Sequence, residues 1–165
     1  MTLQDLDRPT DASVSVMRSM LTKVRFAVLW LVAGSALAAT MAVFFYEPGV
    51  LQEGVAGVME GETVTEGMAL LNAVMVAIPL IMAALVVFLP LRAAAIASLV
   101  VAVPLGAFGL YAVVGHAVDG ELSPHLTLAA LAGAIAWVIA GLSIAALRSG
   151  SHGAASADAK MPVAE

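Results

Sequence analysis

The chain has 165 residues, of which 62% are hydrophobic and only 12% charged, with a net charge of −5 and no cysteine. Soluble domains carry about 45–50% apolar and about 25% charged residues, so this composition argues against a water-soluble fold; the missing cysteines exclude disulfides, thiolate metal sites and cysteine nucleophiles. The acidic balance is no nucleic-acid signature, and the length suits one domain, predicted to be all-α: an integral membrane four-helix bundle with an N-terminal amphipathic helix.

Residues 1–12 are polar, with Asp5, Asp7 and Asp11 set against Arg8 and a break at Pro9, and are read as a disordered tail. Order is expected from Ser13, a residue that can cap a helix. Val14, Met17, Leu21, Val24 and Val28 then recur at steps of three and four, which places them on one face, while Arg18, Thr22 and Arg25 lie along another with Lys23 beside it. The pattern predicts a short basic amphipathic helix leading into the first span, suited to anionic lipid or to a docking partner. Phe26 to Tyr46 is free of charge over 21 residues. At about 1.5 Å per residue it covers the roughly 30 Å of a hydrocarbon core. Ala36-Leu37-Ala38 has the form of a signal cleavage site, but apolar residues continue to Tyr46, so the span is read as uncleaved.

The longest connection, 47–66, holds five glutamates, four glycines and no lysine or arginine. Leu51, Val55, Val58 and Met59 fit one face of a short surface helix, and Thr63 with Glu66 three residues on fits a capping box that opens the second span. Alternating calcium ligands are absent. The second span, about 67–89, contains Asn72 and Pro79; the latter is expected to bend it near its middle. Asn72 lies near the span's start, where it reaches headgroup water or a neighbouring helix.

Phe88-Leu89-Pro90-Leu91-Arg92 separates two long uncharged runs. Proline lacks the amide proton that continues a helix and restricts the residue before it, while arginine is costly to place in hydrocarbon, so these residues predict a tight membrane hairpin. The third span, about 93–118, carries Pro104 and small residues at Ser98, Ala102 and Gly106. The fourth, about 124–147, starts at Ser123-Pro124 and presents two small-residue rows, Ala132-Ala136-Ala140 and Ala129-Gly133-Gly141-Ala145, with Trp137 between them. Residues 148–165 are rich in Ser, Gly and Ala and read as a second disordered tail.

All seven basic residues (Arg8, Arg18, Lys23, Arg25, Arg92, Arg148 and Lys160) lie in the two ends and the central turn. With four spans these regions share one side, so the positive-inside bias predicts both termini in the cytoplasm, in a bacterial cytoplasmic membrane. Arg18, Arg25 and Arg92 are the candidate partner contacts.

No catalytic constellation emerges. The four spans hold no formal charge, and the hydroxyls of Ser35, Thr40, Ser98, Thr127 and Ser143 have no neighbouring histidine and no G-x-S-x-G turn. His116, Asp119, Glu121 and His125 are group types that bind zinc, but their spacing matches no metal motif and they read as interfacial residues. Trp30, Tyr46, Tyr111 and Trp137 read as packing or interfacial anchors. No catalytic residue, metal site or cofactor is expected.

From Pro48 to Arg92 the chain resembles an uncharacterised family of bacterial four-span membrane proteins, through Pro48-Gly49, Gly57, Gly61, Thr65, Leu71, Pro79, Met82, Leu85, Leu89-Pro90 and Arg92. The family has asparagine and further arginine just past the turn, where this chain has Ala93-Ala94-Ala95-Ile96-Ala97, the mark of a divergent member. The resemblance implies four helices and no particular activity. In size and span count the chain is also similar to accessory subunits of actinobacterial MCE-type lipid transporters. The expectation is a non-enzymatic accessory or stabilising subunit of a larger membrane complex, with lipid and other integral membrane subunits as partners. A small homo-oligomeric transporter or ligand-binding protein, opened by Pro79 and Pro104, is the alternative, and a metal or pH sensor through His116 and His125 a third reading.

Overall fold

The computed structural model describes residues 11–59, 62–118 and 123–158. It is helical apart from one two-residue ribbon: α1 (Asp11–Phe44), α2 (Val50–Val55), β1 (Val58–Met59), β2 (Glu62–Thr63), α3 (Glu66–Phe88), α4 (Leu91–Val118) and α5 (Pro124–Asp158). Stretches of α1, α3, α4 and α5 (13–44, 66–88, 91–115 and 124–149) are long and apolar enough to cross a membrane. Residues 1–10 and 159–165, parts of the two expected tails, lie outside the described residues. Helical backbone begins at Asp11, and α5 runs ten residues past Arg148.

The central turn forms as its chemistry demands. Leu89 is extended (φ −73°, ψ 150°), the conformation a following proline imposes, and its N–H closes α3 by donating to Leu85 O at 3.2 Å. Ala94 N then donates to Pro90 O at 2.9 Å, so α4 starts immediately. Pro79 and Pro104 both sit within continuous helices.

Two expectations for residues 47–66 are corrected. The surface helix stops at Val55, because Gly57 takes a left-handed φ of 74° and turns Val58 and Met59 into β1. Antiparallel pairing of Val58 with Thr63 holds Thr63 in β2, so it cannot cap α3. The cap is Thr65, whose Oγ1 accepts from Met68 N at 3.3 Å; Glu66 remains in the first turn, near the positive end of the helix.

α1 packs between α3 and α5, and α4 packs on α5, whereas α3 and α4, although joined by the tight turn, make few contacts along their lengths. Phe26 and Trp30 of α1 are fully buried in one core cluster with small residues of the neighbouring helices, among them Ala94, Ala95, Ala102 and Ala136. Trp30 Nε1 donates to Ser98 Oγ at 3.1 Å, the bond that ties α1 to α4 through the core. Thr40 and Ser143, also buried, donate back to Ala36 O and Ile139 O one turn earlier, so each meets its own needs within its helix.

The α4–α5 contact depends on glycine. A Cβ on Gly109 would stand 2.8 Å from Gly133 Cα, and one on Gly106 would stand 2.9 Å from Trp137 Nε1. Of the two small-residue rows, Ala132-Ala136-Ala140 is buried in the core; in the other, Gly133 meets α4 while Gly141 faces open space. Gly109→Val is therefore expected to force the helices apart and destabilise the bundle by about 1–3 kcal/mol, whereas Gly141→Ala stays within about 0.5 kcal/mol or gains helix propensity. Reversible unfolding of both variants in mild detergent checks the contrast.

Candidate functional site: the basic end of the bundle

The charges segregate to the two ends. Lys23 Nζ donates to Val87 O at 3.4 Å, which sets residue 23 of α1 level with the last turn of α3. Arg92, exposed, opens α4 at the same end, and Arg148 lies on the closing part of α5. Beyond this level α1 does not stop. Residues 13–22 continue as regular helix, about 15 Å further at 1.5 Å per residue.

This extension turns its two faces in an order that the sequence alone does not give. The basic face is directed to α5, where a groove of ≈ 1060 Å³ is lined by Arg18, Ser19, Thr22 and Arg25 on one wall and Ala145, Ala146 and Ser149 on the other. Fully buried Phe26, with Leu91 and Leu142, adds apolar lining. Thr22 donates to Arg18 O at 2.9 Å and Ser149 to Ala145 O at 3.1 Å, so these hydroxyl protons are used by their own helices. Among the residues whose side chains are described, none forms an ion pair with the Arg18 or Arg25 guanidinium. The apolar face points away from the bundle: Met17 is 71% exposed and Met20 63%, with Val16 and Val24 each more than half exposed, while Leu21 stands at the edge and borders the groove as well. The amphipathic segment is thus one piece with the first long helix, and Arg18 and Arg25 share a groove that Arg92 does not line.

At the opposite end, Glu47 and His125 lie 78 positions apart in sequence, yet His125 Nδ1 donates to Glu47 Oε1 at 2.7 Å, with Ser123 Oγ 2.8 Å from the same nitrogen and the Phe44 ring edge-on at 5.1 Å. The pair fastens the end of α1 to the start of α5. No spacing rule links these residues, so sequence reading missed it. Of the other residues with metal-binding groups in this region, Asp119 and Glu121 lie outside the described residues and only the backbone of His116 is described. Among the described residues no three ligand-type side chains gather.

A third feature is an apolar cleft of ≈ 440 Å³ between α3 and α4, lined by Met75, Ile78, Pro79, Val101, Pro104, Leu105 and Phe108. Both in-helix prolines face it. Asn72, also on α3, is exposed.

No family model, no curated protein and no solved structure matches the chain.

Proposed function

We propose that this protein is a four-pass membrane protein of the bacterial cytoplasmic membrane, with its basic end in the cytoplasm, and that it serves as a non-enzymatic accessory or stabilising subunit of a larger membrane complex, docking through the α1 extension. One observation carries the reading: an apolar, methionine-bearing helix face, exposed on this chain at Val16, Met17 and Met20, that continues about 10 Å past the level of Lys23 and the end of α3. Apolar residues within lipid need no protein partner, but the same residues beyond it face water, and a contiguous patch there marks an interaction surface. Methionine suits such a surface because its flexible thioether adapts to a partner's contour. The class of complex, including a lipid transporter, comes from architectural likeness alone.

The orientation is tested by thiol labelling, for which the absence of native cysteine gives a clean background. In intact cells an impermeant maleimide is expected to label Gln52→Cys at once and Met20→Cys only after the membrane is opened. Labelling of both from one side would overturn the four-pass arrangement.

The second reading, a small homo-oligomeric transporter or ligand-binding protein, is favoured by the cleft between α3 and α4. Recovery from the native membrane solely as a homo-oligomer would select it over the first.

A further inference from the structure

We infer that the groove between α1 and α5 holds an anionic phospholipid, with its phosphate between Arg18 and Arg25 and an acyl chain along Leu91 and Leu142. The inference rests on the membrane reading above and is independent of any docking partner. Its basis is the pairing of two kinds of wall in one cavity. Two guanidinium groups seven residues apart lie on the same side of α1, about 10.5 Å apart along its axis, within converging reach of two long side chains. Neither has an anionic partner among the described residues, and the hydroxyl of part-buried Ser19, on the same wall, has no hydrogen-bond partner among them either. Guanidinium groups bind phosphate oxygens through paired N–H donors, so these side chains supply donors that no described side chain pairs with.

The apolar lining excludes a purely hydrophilic anion as the best fit. Leu91 is half-buried and Leu142 exposed where they border this space, and a free phosphate would leave that apolar surface wet. Level also matters. Arg25 is two residues from Lys23, which reaches the last turn of α3, so Arg25 lies where lipid headgroups begin and Arg18 about 10 Å further out. A headgroup that bridges the two with its chain directed toward the level of Phe26 matches the order of the residues along α1. Basic pockets between membrane helices on the cytoplasmic side are general sites for anionic headgroups.

Native mass spectrometry of the purified protein in mild detergent, titrated with dioleoyl phosphatidylglycerol or dioleoyl phosphatidylethanolamine, tests this. The wild type is expected to retain phosphatidylglycerol preferentially, and Arg18→Gln with Arg25→Gln to lower its apparent affinity about 30-fold, to the phosphatidylethanolamine level. The Arg18→Lys, Arg25→Lys variant keeps the charge and is expected to retain most of the preference, while Arg92→Gln, outside the groove, leaves it unchanged. Both arginines are exposed, so thermal melts of all variants should coincide with wild type. Equal retention of the two lipids, an unaffected glutamine variant, or an equal loss in Arg92→Gln would overturn the site. Displacement of the lipid by millimolar inorganic phosphate would assign the arginines to a free anion and overturn the lipid assignment.

Discussion

Trp30→Ala is expected to be the most destabilising single substitution in the bundle core, at about 3 kcal/mol, followed well behind by Trp30→Phe and Ser98→Ala. Trp30 is fully buried, in a core cluster otherwise rich in alanine from the neighbouring helices. Truncation of a buried tryptophan costs about 3–5 kcal/mol in water-soluble proteins, a sum of lost transfer from water and of the cavity left behind. With lipid as the proposed solvent the transfer part largely vanishes, because the unfolded reference is itself apolar, and lost packing sets the lower end of that range. The hydrogen bond contributes less. Polar bonds between membrane helices average about 0.6 kcal/mol with a maximum near 1.7, so Trp30→Phe and Ser98→Ala should each stay within that bracket. The two losses also differ in kind. Without the indole, the Ser98 hydroxyl can turn to the carbonyl one turn earlier, as those of Thr40 and Ser143 already do, whereas without Ser98 the indole N–H has no such alternative. Unfolding free energies in mixed micelles should therefore rank Trp30→Ala far above both single-bond variants; a Ser98→Ala defect as large as Trp30→Ala would mean that the polar link, not packing, organises the core.

The second large effect concerns assembly rather than folding. Met17→Asp together with Met20→Asp is expected to abolish recovery of the proposed complex while the isolated bundle melts as wild type. Met17 and Met20 are 71% and 63% exposed, so carboxylates there meet water in the free protein at little cost. Within an interface each becomes a desolvated charge without a partner, and central hot-spot residues are worth about 2 kcal/mol or more apiece. Two of them amount to about a thousandfold in affinity, enough to empty the complex at ordinary concentrations. Co-sedimentation from gently solubilised membranes reads the outcome: loss of the larger species with an unchanged melt is expected, and an undiminished larger species would remove the extension from the interface.

Much of the helical framework was legible because its determinants are local. Pro90 and the residue it restrains end one helix and start another within a few bonds, and the uncharged runs on either side give the lengths. The cap of α3 was misread for the opposite reason. Thr63 and Glu66 have capping-box spacing, but Thr63 is held by cross-strand pairing with Val58, a partner whose position depends on the left-handed turn at Gly57; two residues later Thr65 takes the role. At the basic end the sequence separated the Arg18–Thr22–Arg25 face from the Met17–Leu21–Val24 face, because helical periodicity fixes angular spacing. It did not reveal which face would meet α5, since that depends on packing against residues more than a hundred positions away. The Glu47–His125 pair and the Gly109–Gly133 approach are likewise products of tertiary placement.

The central claim, that the α1 extension is a docking face for another membrane subunit, is tested most directly by placing a photo-crosslinking residue at Met20 and irradiating the intact native membrane. One discrete adduct with a different integral membrane protein is expected, reproduced from Val16 and absent from Val100, an exposed apolar position of α4 far from the extension. Adducts solely with lipid, or solely with a second copy of this chain, would contradict it.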